Sequence, residues 1–99
     1  MADDNDIIGP IHPGEYVAEV IEDLGMTQYA FAKALGVAQM RVKRLVDGTT
    51  GITANTALRL SRVLDTTPEY WMGLQSAYDI EVESAKCATQ MADIRPLAV

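Results

Sequence analysis

Short stretches of helical apolar periodicity, separated by glycine, proline or threonine, constrain the fold of this chain more than any other feature. In the first stretch, apolar residues recur at the spacing of one helix face after Pro13, a residue suited to a first helical turn. That face consists of Val17, Val20, Ile21 and Leu24. No segment shows the sustained alternation of β-branched residues that is typical of strands. The pattern therefore predicts an all-α bundle.

Four more segments complete a predicted set of five helices. Thr27, Thr53 and Thr67 are suitable N-caps for the second, fourth and fifth helices, and the third helix is predicted over 38–46. Gly36 is expected to end the second helix, and the fifth is expected to continue to about Met91. The predicted inward positions are Phe31, Ala32, Leu35, Val42, Leu45, Val46, Ala57, Leu60, Leu64, Tyr70, Trp71, Leu74, Ala77 and Tyr78.

The length of 99 residues suits one domain with one modest core. Residues 1–11 are predicted to be a flexible acidic arm, 12–83 the folded domain, and 84–99 a C-terminal helix extension and tail. A single cysteine excludes an internal disulfide and favours a reducing cytosol. The longest apolar run has four residues, too few to span a membrane, and the acidic N-terminus does not resemble a signal peptide.

The net charge of −6 hides an uneven distribution of charged residues. Residues 1–25 carry seven acids and no Lys or Arg, whereas residues 26–66 carry six bases and two acids. Residues 67–99 are acidic again, with five acids and two bases. A basic centre between acidic ends is expected if one face binds a polyanion and another binds a basic partner, although ordinary solvated charge gives the same pattern.

The basic centre contains a pattern typical of a helix-turn-helix over residues 27–46. Gly36 and Val37 separate two short helices, which glycine allows to meet in a tight turn. When the apolar side of the third predicted helix, the second of this pair, is buried, a basic and amide-bearing side remains exposed. This outward side consists of Gln39, Met40, Arg41, Lys43 and Arg44. Such a face suits the major groove of double-stranded DNA.

This segment resembles the helix-turn-helix of the phage-repressor-like (XRE) family, and the flanking sequence resembles HigA-type antitoxins of type II toxin–antitoxin modules. The resemblance covers about residues 12–82 and implies a lambda-repressor-like, five-helix DNA-binding bundle. Its flanking motifs are His12-Pro13-Gly14-Glu15, Gly51-Ile52-Thr53, Thr56-Ala57-Leu58-Arg59-Leu60, and Thr67-Pro68-Glu69-Tyr70-Trp71. A homodimer that binds operator DNA, represses its own operon and binds a HigB-like, RelE-related mRNA-cleaving toxin is therefore expected.

The resemblance also implies roles for individual residues. Gln28 is expected to contact phosphate, and Gln39 and Arg41 to contact base edges. Lys43 and Arg44 are placed for phosphate, and a base contact by Arg44 also remains open. Two departures from the family pattern are Ala38, which cannot cap the third helix, and Met40, an apolar chain suited to a thymine methyl group.

Several surfaces have two interpretations. Leu74 and Tyr78 are either core residues or part of a dimer seam. The acidic residues of the first helix form either a solvated face or a docking surface for a basic toxin. These acids are Glu15, Glu19, Glu22 and Asp23. Arg59 and Arg62 are expected to be surface or salt-bridge residues. His12, the one histidine, is expected to be a local cap.

The resemblance therefore implies a bacterial cytosolic, nucleoid-associated antitoxin and autorepressor. A stand-alone XRE-family regulator without a toxin is the first alternative, and a protein-interaction module that no longer binds DNA is the second. No catalytic residues, metal, cofactor, membrane or small-molecule substrate are predicted, because no nucleophile–histidine pair or buried carboxylate cluster is recognisable.

Overall fold

Helices account for all the regular secondary structure within residues 9–98, the part of the chain that the computed structural model describes. The predicted acidic arm lies outside the described residues over 1–8. Six helices are present in residues 9–98: α1 Pro13–Asp23, α2 Gln28–Leu35, α3 Gln39–Val46, α4 Ala54–Leu64, α5 Pro68–Lys86 and α6 Ala88–Ala92. The all-α prediction is confirmed, with a sixth short helix added.

Local capping interactions begin the helices where the sequence predicted them. The hydroxyls of Thr27, Thr53 and Thr67 each accept a hydrogen bond from a backbone N–H in the first turn of α2, α4 and α5. His12 Nδ1 caps α1 by accepting from the Gly14 N–H at 2.9 Å, which confirms its predicted local role. As expected, Ala38 provides no side-chain cap for α3.

A single core joins α1 through α5. Helix α3 packs against both α1 and α2, and α4 packs against α2 and, most extensively, α5. The core side chains are Val17, Ile21, Phe31, Ala32, Leu35, Val42, Leu45, Ile52, Ala57, Leu60 and Trp71. Because α3 is held from two sides, its apolar face is fixed and its polar face is turned outward.

Four predictions about apolar residues and helix length are wrong. Leu24 is 52% exposed, because it follows the last turn of α1 as its C-cap. Tyr70 is 50% exposed and packs edge-on against Trp71, while Ala77 is also exposed. Helix α5 ends at Lys86 because the backbone of Cys87 leaves helical geometry, with φ −112° and ψ 18°.

Candidate nucleic-acid interface

The outward face of α3 is polar and cationic over its whole length. Val42 and Leu45 are 2% and 4% exposed, and they attach the helix to the core. The five residues of α3 that are predicted to contact DNA are all exposed: Gln39, Met40, Arg41, Lys43 and Arg44. Between residues 26 and 64 the one acid is Asp47, whose Oδ2 lies 2.7 Å from Lys43 Nζ in an exposed ion pair. This face therefore presents a local excess of positive charge.

The turn between α2 and α3 depends on a left-handed glycine. Gly36 has φ 77° and ψ 33°, and its N–H bonds to the last turn of α2. Val37 packs against the core beside it. Gln28 is the first residue of α2 and is half-buried, so it lies at the helix N-terminus where the prediction placed a phosphate contact.

Arg41 is exposed on α3, and its side chain also forms hydrogen bonds to α4. Its Nη2 donates to Asn55 Oδ1 at 2.7 Å and to Thr56 Oγ1 at 2.9 Å. Thr56 is buried, and its hydroxyl also lies 3.3 Å from that of Thr53. The guanidinium predicted to contact a base edge is therefore held in a defined position by two side chains of the next helix.

Arg59 was expected to be a surface or salt-bridge residue, and this is wrong. It is half-buried, and its Nη1 donates to the backbone oxygens of Leu35 at 2.8 Å and Gly36 at 3.3 Å. These carbonyls end α2, where the helix dipole favours a cation. Its Nε donates to Asn55 Oδ1 at 2.8 Å. Arg59 thus connects α4 to the helix-turn-helix turn.

A cleft of about 380 Å³ lies between α3, the 49–53 loop and α4. Its floor is apolar, and the side chains of Arg41, Arg44 and Arg59 line it. Gln75 of α5 holds the loop, because its Oε1 accepts from the Ile52 N–H at 2.6 Å. The cleft therefore borders the cationic face of α3 and contains three arginines.

The other predicted site residues lie away from the cleft. Leu74 is half-buried against the core, and the half-buried Tyr78 ring packs edge-on against His12 at a centroid distance of 5.0 Å. The four acids of α1 that were predicted to dock a toxin are all exposed: Glu15, Glu19, Glu22 and Asp23. The structure does not bring these acids together with the face of α3.

Cys87 lies at the junction of α5 and α6, outside the cleft. Its Sγ donates to Glu83 Oε2 at 3.0 Å. That hydrogen bond, together with burial and the negative charge of Glu83, raises the pKa of the Cys87 thiol, and Lys86 partly opposes the shift. The thiolate is therefore scarce at neutral pH.

The sequence and the fold both match known proteins. The helix-turn-helix family model matches residues 17–71, more than half of the chain. Antitoxin HigA-1 of Vibrio cholerae is 33% identical over 91 residues, which cover 91% of this chain and 86% of that protein. The chain belongs to the helix-turn-helix family that includes the HigA antitoxins.

Two solved structures place the whole bundle among HigA-type folds. An addiction module antidote protein of a HigA family from Coxiella burnetii is 40% identical, with a TM-score of 0.87 and coverage of 91% of this chain and 100% of that chain. Pseudomonas aeruginosa antitoxin HigA, solved with the higBA promoter, is 37% identical, with a TM-score of 0.84 and coverage of 90% and 99%. The similarity to HigA thus includes α5.

Within residues 9–98 no helix is both long and apolar enough to cross a membrane.

Sequence reasoning about the HigA-type helix-turn-helix missed Asn55 and Thr56. Asn55 and Arg59 are four residues apart, which places them on one side of α4, and this spacing was the available signal. Nothing in the sequence indicated that this side faces Arg41. That contact depends on the packing of α4 beside the helix-turn-helix.

Proposed function

We propose that this protein is a homodimeric, sequence-specific DNA-binding autorepressor and antitoxin of the HigA type. In this proposal, α3 is the recognition helix and enters the major groove of the protein's own promoter. The protein also neutralises a HigB-like, RelE-related mRNA-cleaving toxin in the bacterial cytosol, where DNA binding associates it with the nucleoid. The function is non-enzymatic.

The observation that carries the DNA-binding proposal is the rigidly mounted cationic face of α3. Val42 and Leu45 fix the helix to the core, so Gln39, Arg41 and Arg44 are presented together on the outside. A helix of this kind fits the width of the major groove, and the promoter complex of the Pseudomonas aeruginosa HigA supports the same use here.

Each exposed side chain has a role in this proposal. Arg41 donates to guanine and Gln39 contacts adenine, because these pairs allow two hydrogen bonds to one base. Met40, 51% exposed, contacts a thymine methyl group. Gln28, Lys43 and Arg44 contact phosphates, which position the helix and weaken binding as salt rises.

Dimer formation supplies the symmetry that an operator with two half-sites requires. In the proposal, Leu74 and Tyr78 contribute to a seam between the α5 helices of two copies. Their half-buried state supports this use, since each retains surface beyond its contacts within the protomer. Two recognition helices would then lie about 34 Å apart, one helical turn of DNA, or a multiple of it.

The proposed toxin contact uses the acidic side of α1. Glu15, Glu19, Glu22 and Asp23 are all exposed there, and none lines the cleft beside α3. A basic ribonuclease would be attracted to this side while α3 remains free for DNA. Both partners could therefore bind one protomer.

Promoter binding tests the DNA-binding proposal. We expect the full chain to bind a fragment of its own promoter with nanomolar affinity at low salt in a fluorescence anisotropy titration. Arg41→Ala should cost about 1–3 kcal/mol of binding free energy and relax base preference at one position. Arg62→Ala removes the same charge from α4 and serves as the control. Unchanged affinity and selectivity in Arg41→Ala would show that Arg41 does not contact a base.

Co-expression with the adjacent gene tests the antitoxin proposal. We expect the neighbouring open reading frame to arrest growth alone, and the present chain to restore growth and co-purify with its product. Replacing the four acids of α1 by their amides should weaken co-purification while promoter binding persists. Promoter binding without a toxic or co-purifying neighbour would instead favour a stand-alone regulator.

A further inference from the structure

The hydrogen bonds of Arg41 occupy the nitrogen that a paired contact to guanine needs. Asn55 Oδ1 and Thr56 Oγ1 both accept from Nη2, which has two hydrogens. A guanidinium offers two edges with parallel donors, one formed by Nη1 and Nη2 and the other by Nε and Nη2. Both edges include Nη2. Arg41 therefore gives up at least one bond to α4 when it donates two bonds to a base.

The acceptor that holds Arg41 is itself fixed by a second arginine. Asn55 Oδ1 accepts from Arg59 Nε at 2.8 Å as well as from Arg41. Both partners are donors only, so the amide oxygen must face them. Arg59 is in turn anchored to the carbonyls of Leu35 and Gly36. The position of Asn55 is thus tied to the helix-turn-helix turn, although the residue is exposed.

We propose that Asn55 and Thr56 are specificity-determining residues that act on operator recognition by holding Arg41. This inference rests on the proposed DNA-binding function. A guanine draws two bonds from Arg41 and has to take at least one of them from α4, whereas a base with a single acceptor can be contacted through a nitrogen that α4 leaves free. The hold on Arg41 therefore opposes the paired contact to guanine and limits how strongly the promoter is preferred over a site with that base pair changed. Neither residue needs to contact a base.

Variants of α4 test this inference without removing any cation. Asn55→Ala removes the shared acceptor, and Thr56→Val removes the second acceptor at nearly constant volume. Ser61→Ala is the control, because its hydroxyl bonds only to Leu58 O within α4. Thermal unfolding of each variant establishes that it is folded, and Asn55→Ala, at an exposed position, keeps the test available if Thr56→Val unfolds.

The measurement is the dissociation constant for the promoter fragment and for fragments with one base pair changed. The base pair that Arg41 contacts is the one at which Arg41→Ala loses its preference. At that base pair, Asn55→Ala and Thr56→Val should each raise discrimination at least about fivefold, the usual size of one hydrogen bond's effect on an equilibrium, because Arg41 no longer gives up that bond to contact guanine. Ser61→Ala should discriminate like the parent, and the salt dependence of binding should be unchanged in all three.

A double-mutant cycle separates action through Arg41 from a direct DNA contact. In the Arg41→Ala background, Asn55→Ala and Thr56→Val should have no further effect on discrimination. The inference is overturned if discrimination is unchanged or lowered in the single variants, or if their effect persists without Arg41. A salt slope reduced by about one in Asn55→Ala would also overturn it, because Asn55 would then contact phosphate. If the parent chain fails to bind its promoter, the proposed function fails too. If discrimination changes in Arg41→Ala but not in Asn55→Ala or Thr56→Val, the inference is contradicted and the proposed DNA-binding function stands.

Discussion

At the scale of single residues, Gly14 shows how closely α1 approaches α3. Gly14 lies in the first turn of α1, and a Cβ atom there would overlap the carbonyl oxygen of Leu45 in the last turn of α3. His12 caps this turn and packs against Tyr78 of α5. The absence of a side chain at Gly14 thus allows α1 and α3 to approach closely.

Replacing Gly14 by alanine should therefore destabilise the fold. The obstructing atom is backbone, so relief requires a shift of α1 against α3, and overpacking of this kind costs about 1–3 kcal/mol. Urea unfolding followed by circular dichroism measures the loss. Gly73→Ala is the matched control, because a Cβ at Gly73 has no neighbour within 4 Å, and it should stabilise α5 by up to about 1 kcal/mol. Equal stabilities for the two variants would contradict the close approach.

At the scale of elements, α3 is the one helix of α1 to α5 whose N-terminus has no side-chain cap. Ala38 has the extended backbone of an N-cap residue, with φ −68° and ψ 147°, but its side chain has no acceptor. Helix α3 depends instead on tertiary support from α1, α2 and the Arg41 contacts to α4. Its order thus comes from packing more than from local sequence.

Ala38→Ser should stabilise the protein by supplying the missing cap. A serine hydroxyl at this position can accept from a free N–H in the first turn of α3, which is worth about 1 kcal/mol. Thermal or urea unfolding of the DNA-free protein measures the gain. Ala34→Ser, an exposed change inside α2, should give no gain. Equal stabilities of the two variants would show that another group already accepts a hydrogen bond from the first-turn N–H groups of α3.

The loop between α3 and α4 is similarly held from outside, by Gln75 of α5. Gln75→Leu should lower the free energy of unfolding by about 1–3 kcal/mol, because the Ile52 N–H loses its acceptor in a partly buried place. Gln90→Leu on α6 makes the same change at an exposed position and should have little effect. Chemical denaturation compares the two. Matching stabilities would indicate that water replaces the amide oxygen.

At the scale of the whole molecule, the protein separates its charges. The acids of α1 are exposed, while the exposed side of α3 carries three cations and is followed by the one nearby acid, Asp47. A net charge of −6 therefore coexists with a local surface suited to a polyanion. The acidic remainder opposes nonspecific attraction to DNA, so in the proposed complex specific contacts by α3 have to supply the affinity.

Promoter binding should weaken steeply with salt, in proportion to the number of phosphates contacted. Lys43→Gln and Arg44→Gln should each make the slope of log K against log salt shallower by about one, because each removes one released counterion. Anisotropy titrations over a series of salt concentrations measure the slope. Arg62→Gln, a matched loss of charge on α4, should retain the parent slope. A slope reduced equally by all three variants would indicate only a general effect of net charge.

The sequence by itself determined where helices α1 to α5 begin and which residues make up the outward face of α3. Thr27, Thr53 and Thr67 cap their helices through bonds to residues three positions away, and Gly36 ends α2 through its own backbone. The outward face of α3 followed from the spacing of Val42 and Leu45. These features depend on interactions within about one turn of helix, so local pattern suffices to predict them.

Only the tertiary structure decided how that face is held. Arg41 bonds to residues 14 and 15 positions further along the chain, and Arg59 bonds to a carbonyl 24 positions earlier. The apolar periodicity also failed to predict that Leu24 and Tyr70 are exposed. Contacts of this kind depend on the relative placement of whole helices, which the packing of the core sets and local spacing does not encode.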